Sequence, residues 1–126
     1  MAHILLIEDY PSLQKIYQAT LEAANHTVYL ADDVKEGLEI ARSKQVDLIL
    51  LDLLLPHAGG LDFLKSYNIK KHSGTKVIIL SNIFSTDLLN QALALGASHY
   101  FLKTDMNPKK LSEVVDQTLS IQSRIA

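Results

Sequence analysis

Residues 47–60 read DLILLDLLLPHAGG, and within them Asp52 interrupts an otherwise apolar run. An unpaired charge is among the costliest groups a core can hold, so the run must either end at Asp52 or bring it a partner. Leu48, Ile49, Leu50 and Leu51 form a short continuous apolar segment, bounded by Asp47 and by the turn signals Pro56, Gly59 and Gly60. That is the pattern of a strand buried on both faces. Asp52 then closes the strand at its carboxyl end instead of lying inside it.

Four further runs of this kind recur along the chain, Ile4–Ile7, Val28–Leu30, Val77–Leu80 and Tyr100–Leu102, beginning about every two dozen residues. Between them the spacing is helical. After Pro11, which suits a first helical turn, Leu13, Ile16, Tyr17, Leu21 and Ala24 trace one face. Val34, Leu38 and Ala41 trace a second, weakened at Gly37 by about 1 kcal/mol relative to alanine. A third begins near Leu61 and uses Leu61, Leu64 and Tyr67. The fourth carries Leu88, Leu89, Ala92 and Leu93, with Ser85, Thr86 and Asp87 as capping candidates and Gly96 as its stop. Asn107 and Pro108 open the fifth, whose stripe is Leu111, Val114, Val115, Thr118 and Ile121. Strand and helix alternating five times predict an α/β domain whose parallel sheet is covered on both faces, because parallel neighbours need right-handed crossovers.

The bulk composition agrees. The chain has 126 residues, enough for one domain, with 48% hydrophobic and 21% charged residues. A formal net charge of −2 without blocks of like charge argues against nucleic-acid or anionic-membrane binding. The absence of cysteine removes disulfides, thiolate metal sites and cysteine nucleophiles, and is compatible with a reducing compartment. The start, MAHILLIEDY, resembles neither a signal peptide nor a membrane span, so a cytoplasmic location is expected.

In sheets of this class, ligands sit outside the carboxyl ends of the strands. Those ends carry Glu8 and Asp9 after the first strand, Asp52 after the third, Ser81 after the fourth and Lys103 after the fifth; Asp32 and Asp33 after the second read as a helix start. Carboxylates about 4 Å apart repel by about 4 kcal/mol at an effective dielectric near 20. Lys103 alone cannot balance three of them. A divalent cation can, and a pocket of oxygen donors without cysteine or clustered histidine suits Mg²⁺, or Mn²⁺, better than zinc. The same set suits phosphoryl transfer to a carboxylate, with Asp52 as nucleophile and Lys103 and the Ser81 hydroxyl holding phosphoryl oxygens.

ILLIEDY with its acidic pair, DLILLDLLLPHAGG with Asp52, Pro56 and Gly60, VIILSN with Ser81, and GASHYFLKT with Tyr100 and Lys103 fall in one order and spacing. Together they resemble the receiver domain of two-component response regulators over nearly the whole chain, which implies a single such domain over residues 1–126. The resemblance implies a flavodoxin-like (βα)5 fold, a doubly wound parallel sheet of strand order 2-1-3-4-5. It implies that Asp52 accepts a phosphoryl group from a histidine kinase, a histidine phosphotransfer protein or a small phosphodonor, as a phosphoacceptor assisting its own phosphorylation and dephosphorylation. It implies that Glu8, Asp9, Asp52 and the backbone carbonyl of Leu54 hold Mg²⁺. Ser81 and Tyr100 match the switch pair, in which the hydroxyl is drawn to the phosphate and the ring follows. The output surface for a downstream protein target would then comprise the fourth helix, the fifth strand and the fifth helix.

Two positions depart from the family pattern, and a third varies it mildly. Thr104 follows Lys103 where a proline preceded by a cis bond is usual, and a cis bond before a non-proline costs about 2.5–4 kcal/mol. Asn82 replaces a small residue beside Ser81, narrowing access to Asp52 or altering how fast water removes the phosphate. Glu8 stands for the commoner aspartate and keeps the charge.

Other classes fit less well. A flavin binder of the same fold needs a Ser/Thr/Gly-rich phosphate loop after the first strand, where this chain has the acidic EDYPSLQK. A phosphatase with an aspartate nucleophile needs a D-x-D arrangement at the first strand, and Asp9 is followed by Tyr10 and Pro11. The remaining alternative is a pseudo-receiver, the same fold used only to bind proteins. The histidines His3, His26, His57, His72 and His99 show no metal-ligand spacing and read as scattered surface or edge residues. The tail SIQSRIA leaves no length for an output domain, so the chain is expected to act through protein partners or as a piece of something longer, as a monomer or a weak dimer.

Overall fold

The computed structural model describes residues 1–125, with side chains through Ser120. Five strands, β1 (His3–Ile7), β2 (Thr27–Ala31), β3 (Leu48–Asp52), β4 (Lys76–Ser81) and β5 (His99–Leu102), alternate with five helices, α1 (Pro11–Ala23), α2 (Val34–Ser43), α3 (Gly60–Tyr67), α4 (Thr86–Ala94) and α5 (Pro108–Ile125). Every strand pairing is parallel and the order is β2-β1-β3-β4-β5. This is the flavodoxin-like sheet, with each strand's carboxyl end at the same edge.

The strands' period of two sorts the core into two layers. Ile4, Leu6, Leu48, Leu50, Ile78 and Leu80 pack with Tyr17 and Leu21 of α1 and with Leu111, Val114 and Val115 of α5. Leu5, Ile7, Ile49, Leu51, Val77 and Ile79 pack on the other side with Val34 and Ala41 of α2, Phe63, Leu64 and Tyr67 of α3 and Ala92 of α4. The central strands β1, β3 and β4 are buried on both faces as expected. The edge strands β2 and β5 are largely half-buried, because each lacks a neighbour on one side.

Several helix ends follow their local chemistry. The Asp33 carboxylate accepts from Glu36 N–H at 2.8 Å, Ser85 Oγ from Leu88 N–H at 3.3 Å and Asn107 Oδ1 from Lys110 N–H at 2.8 Å. Gly96 takes a left-handed φ of 107° just beyond α4. Gly37 proves to be a packing requirement: a Cβ there would lie 2.6 Å from Ile7 Cδ1, so its absence lets α2 approach the sheet.

Four expectations are corrected. Ile16 is 48% exposed and Ala24 lies exposed beyond α1, so that helix buries a narrower face, centred on Tyr17 and Leu21. Leu93 is 44% exposed, because α4 buries only Ala92 fully against the sheet. Phe63, absent from the expected α3 stripe, is completely buried. His26 is buried, not superficial: its Nδ1 accepts from the Ala2 N–H at 3.0 Å, and burial, followed by the nearby N-terminal charge, holds the ring below its ordinary pKa despite Asp116. Ile121, at the end of the α5 stripe, lies outside the described side chains. No helix among the described residues is long and apolar enough to cross a membrane.

Candidate functional site

The alternation that divides the core also builds the site. Glu8 continues the Ile4, Leu6 series and Asp52 the Leu48, Leu50 series, while Lys103 follows Phe101, a member of the same layer. All three therefore emerge on the α1/α5 side at the carboxyl edge of the sheet. Ser81 continues the Val77, Ile79 series and Tyr100 packs in that other layer, so this pair emerges on the side of α4.

The charged trio is compact and almost dry. Glu8 is 2%, Asp52 5% and Lys103 8% exposed. Lys103 Nζ lies 2.6 Å from Glu8 Oε1 and donates to Asp52 Oδ2 at 2.9 Å, joining residues 51 apart in sequence. The second oxygen of Asp52 accepts the Leu54 N–H at 3.0 Å, and Glu8 Oε2 accepts the Tyr10 N–H at 3.1 Å. This answers the question posed by residues 47–60: Asp52 is buried but paired, and both of its oxygens are hydrogen-bonded. Burial pushes the Glu8 carboxyl above the ordinary carboxylate range, although the Lys103 hydrogen bond acts against it. Burial alone would depress the Lys103 ammonium, but its hydrogen bonds to Glu8 and Asp52 outweigh this and raise it.

Asp9 stands exposed at the rim, and one carboxylate oxygen each from Glu8, Asp9 and Asp52 lie within 4.8 Å of one another. An all-oxygen set open to solvent at Asp9 suits a hard divalent cation that keeps some of its water, as Mg²⁺ does. Leu54 lies beside Asp52 through its N–H contact, with a side chain 51% exposed. Beneath the loop, Gly60 makes close approach possible: a Cβ there would fall 2.6 Å from the Asp52 carbonyl oxygen and 2.9 Å from Leu53 Cα.

On the α4 side, Ser81 is fully buried and its Oγ accepts the Ile83 N–H at 3.3 Å, while the half-buried Tyr100 donates its hydroxyl to the Ile83 carbonyl at 2.7 Å. Asn82 is exposed beside them. All peptide bonds among the described residues are trans, including the one between Lys103 and Thr104. Two neighbours of the site were not read as such from the sequence, Gln14 and Tyr17, although Tyr17 was placed on the inner face of α1. Gln14 Nε2 donates to the Glu8 carbonyl and to Asp32 Oδ1, both at 2.9 Å, tying α1 to the acidic edge. Tyr17, one α1 turn further, is buried below the trio, with its phenol raised by burial. Their spacing of three on α1 was the available signal.

Comparison with known proteins gives one answer. A family model of the response regulator receiver domain matches residues 4–116. The response regulator ArlR of Staphylococcus epidermidis is 35% identical over 103 residues, which is 82% of this chain and 46% of that protein. The nitrate/nitrite response regulator protein NarL of Escherichia coli K12 is 36% identical over 118 residues, 92% of this chain and 54% of its own. The chain thus spans about half the length of the curated relatives it matches. Among solved structures, the CheY-like response regulator receiver domain protein from Methanospirillum hungatei JF-1 superposes with a TM-score of 0.94 at 26% identity, covering 100% of this chain and 99% of that one. With family model, relatives and sheet order in agreement, the chain belongs to the receiver domain family of two-component response regulators.

Proposed function

We propose that residues 1–126 act as one phosphoacceptor domain in which Asp52 takes a phosphoryl group from a histidine kinase, a histidine phosphotransfer protein or a small phosphodonor. The observation that carries this reading is the buried trio, with a single ammonium held 2.6 Å from Glu8 and 2.9 Å from Asp52 at the ligand-binding edge of the sheet. A carboxylate oxygen of Asp52 attacks phosphorus. The bond from phosphorus to the donor's imidazole nitrogen, or to the acetate oxygen of acetyl phosphate, breaks, and the electron pair leaves with the donor. Lys103 is already in place to meet the charge that gathers on the phosphoryl oxygens, so little reorganisation is needed at the moment of transfer. The Leu54 N–H and the Lys103 ammonium fix the orientation of the Asp52 carboxylate.

Glu8, Asp9, Asp52 and the Leu54 carbonyl would hold Mg²⁺, with Mn²⁺ as a substitute, which supplies neutralisation of the phosphoryl oxygens. Ser81 turns its hydroxyl from Ile83 toward the phosphoryl group, and Tyr100 follows. The surface comprising α4, β5 and α5 then changes its affinity for a downstream protein. A ligand shifts such an equilibrium only by binding one state better, and the covalent phosphoryl group supplies that difference. We place this activity in the cytoplasm, with the chain a monomer or weak dimer and without contact to nucleic acid or membrane.

Incubation with acetyl phosphate and Mg²⁺ followed by intact-mass measurement tests the reading. Wild type should gain the mass of one phosphoryl group, and Asp52→Ala and chelator-treated protein none. A wild type that gains nothing would identify the chain as a binding-only member of the fold.

A further inference from the structure

Ile83 and Phe84 follow the switch serine, and both are exposed, at 44% and 55%. Large apolar side chains at a surface loop gain little from burial, so the contacts they keep are informative. The Ile83 backbone is held at both of its polar groups: its N–H donates to Ser81 Oγ at 3.3 Å and its carbonyl accepts the Tyr100 hydroxyl at 2.7 Å. The ring of Phe84 meets the ring of Tyr100 edge to face, with centroids 5.6 Å apart and planes at 81°, the arrangement favoured by aromatic quadrupoles. Tyr100 is thus clamped twice by the β4–α4 loop, at its hydroxyl and at its ring.

We propose that Phe84 is a positioning residue that fastens the Tyr100 ring to the β4–α4 loop, so that a turn of the Ser81 hydroxyl is passed to Tyr100 through the loop. This rests on the reading of Asp52 as phosphoacceptor. The chain of contacts is continuous. When the Ser81 hydroxyl turns to the phosphoryl group it releases the Ile83 N–H, the loop shifts, and Phe84 carries the ring with it. Without Phe84 only the Tyr100 hydroxyl would follow the loop, through a bond that a rotating phenol breaks readily. An edge-to-face contact of ordinary strength corresponds to a roughly two- to tenfold change in ring population.

The test uses the full chain labelled with 3-fluorotyrosine, with the Tyr100 resonance among the five tyrosines assigned from Tyr100→Phe. Fluorine spectra and intact masses are recorded with Mg²⁺ alone and after acetyl phosphate for wild type, Phe84→Ala and Phe84→Trp. Phe84→Ala should gain phosphoryl mass as wild type does. Its Tyr100 resonance should move at rest, and the displacement on phosphorylation should fall at least twofold. Phe84→Trp, which restores an aromatic edge, should recover most of that displacement. A Phe84→Ala protein whose Tyr100 resonance matches wild type before and after phosphorylation overturns the proposal. Should no protein gain mass, the phosphoacceptor reading fails separately, and the resting spectra still decide whether Phe84 positions the ring.

Discussion

The two halves of the site lie at the same edge of one sheet but are held very differently. On the α1/α5 side, Glu8, Asp52 and Lys103 are nearly free of solvent and locked by bonds of 2.6 and 2.9 Å above a fully buried layer containing Leu50 and Ile78. On the α4 side, Ser81 is also fully buried, but Ser81 and Tyr100 are held by uncharged contacts with the Ile83 backbone and the Phe84 ring, and Ile83 and Phe84 stand 44% and 55% exposed. If Asp52 accepts a phosphoryl group as proposed, the groups that meet it sit where movement is expensive, and the ring proposed to respond sits where fewer buried contacts oppose movement.

The sharpest way to break this comparison is at Lys103. In metal-free buffer Lys103→Met should lower stability by about 3–5 kcal/mol at pH 8, because it leaves two buried carboxylates without their cation. Glu8 already titrates above its ordinary value of 4.5, so its contribution to stability is greatest below that pH and declines as pH rises through the folded value. Removing the Lys103 hydrogen bond raises the folded value further. The gap between variant and wild type in urea unfolding should therefore widen from pH 4 to pH 8. A gap independent of pH would mean that Glu8 does not depend on Lys103.

Under the locked half, Leu50→Ala should cost about 3 kcal/mol in the same assay, through lost transfer energy and the cavity left at a completely buried position. On the α4 half, Tyr100→Phe removes one hydroxyl donor to the Ile83 carbonyl and should cost about 1 kcal/mol or less. Leu93→Ala should stay within about 0.5 kcal/mol. If Leu93→Ala were as costly as Leu50→Ala, the two halves would not differ in packing.

Much of this was legible in the sequence. Continuous runs such as Leu48–Leu51 announce strands with two covered faces, and the residue closing each run had to stand at the sheet edge, which brings Glu8, Asp52, Ser81 and Lys103 together from spacing alone. Periodicity carries no record of which strands become neighbours, so the order came only from family resemblance. Helical stripes likewise define a face but not how much of it a neighbour covers, which is why Ile16 and Leu93 were placed inward and Phe63 was missed. His26 lay beyond reach for another reason: its burial depends on the Ala2 amide, a partner 24 residues away with no local pattern. The pairing of Phe84 with Tyr100 depends on the path of a loop, and no spacing rule encodes that.

Lys103 reaches Asp52 across 51 residues and Glu8 across still more, so the trio exists only when β1, β3 and the turn after β5 are all docked. Any cation or phosphoryl analogue that grips these tips must favour the assembled sheet over every partly opened form, in proportion to its concentration over its dissociation constant. Occupancy should therefore appear as slower amide exchange far from the site, in strands that the ligand never touches.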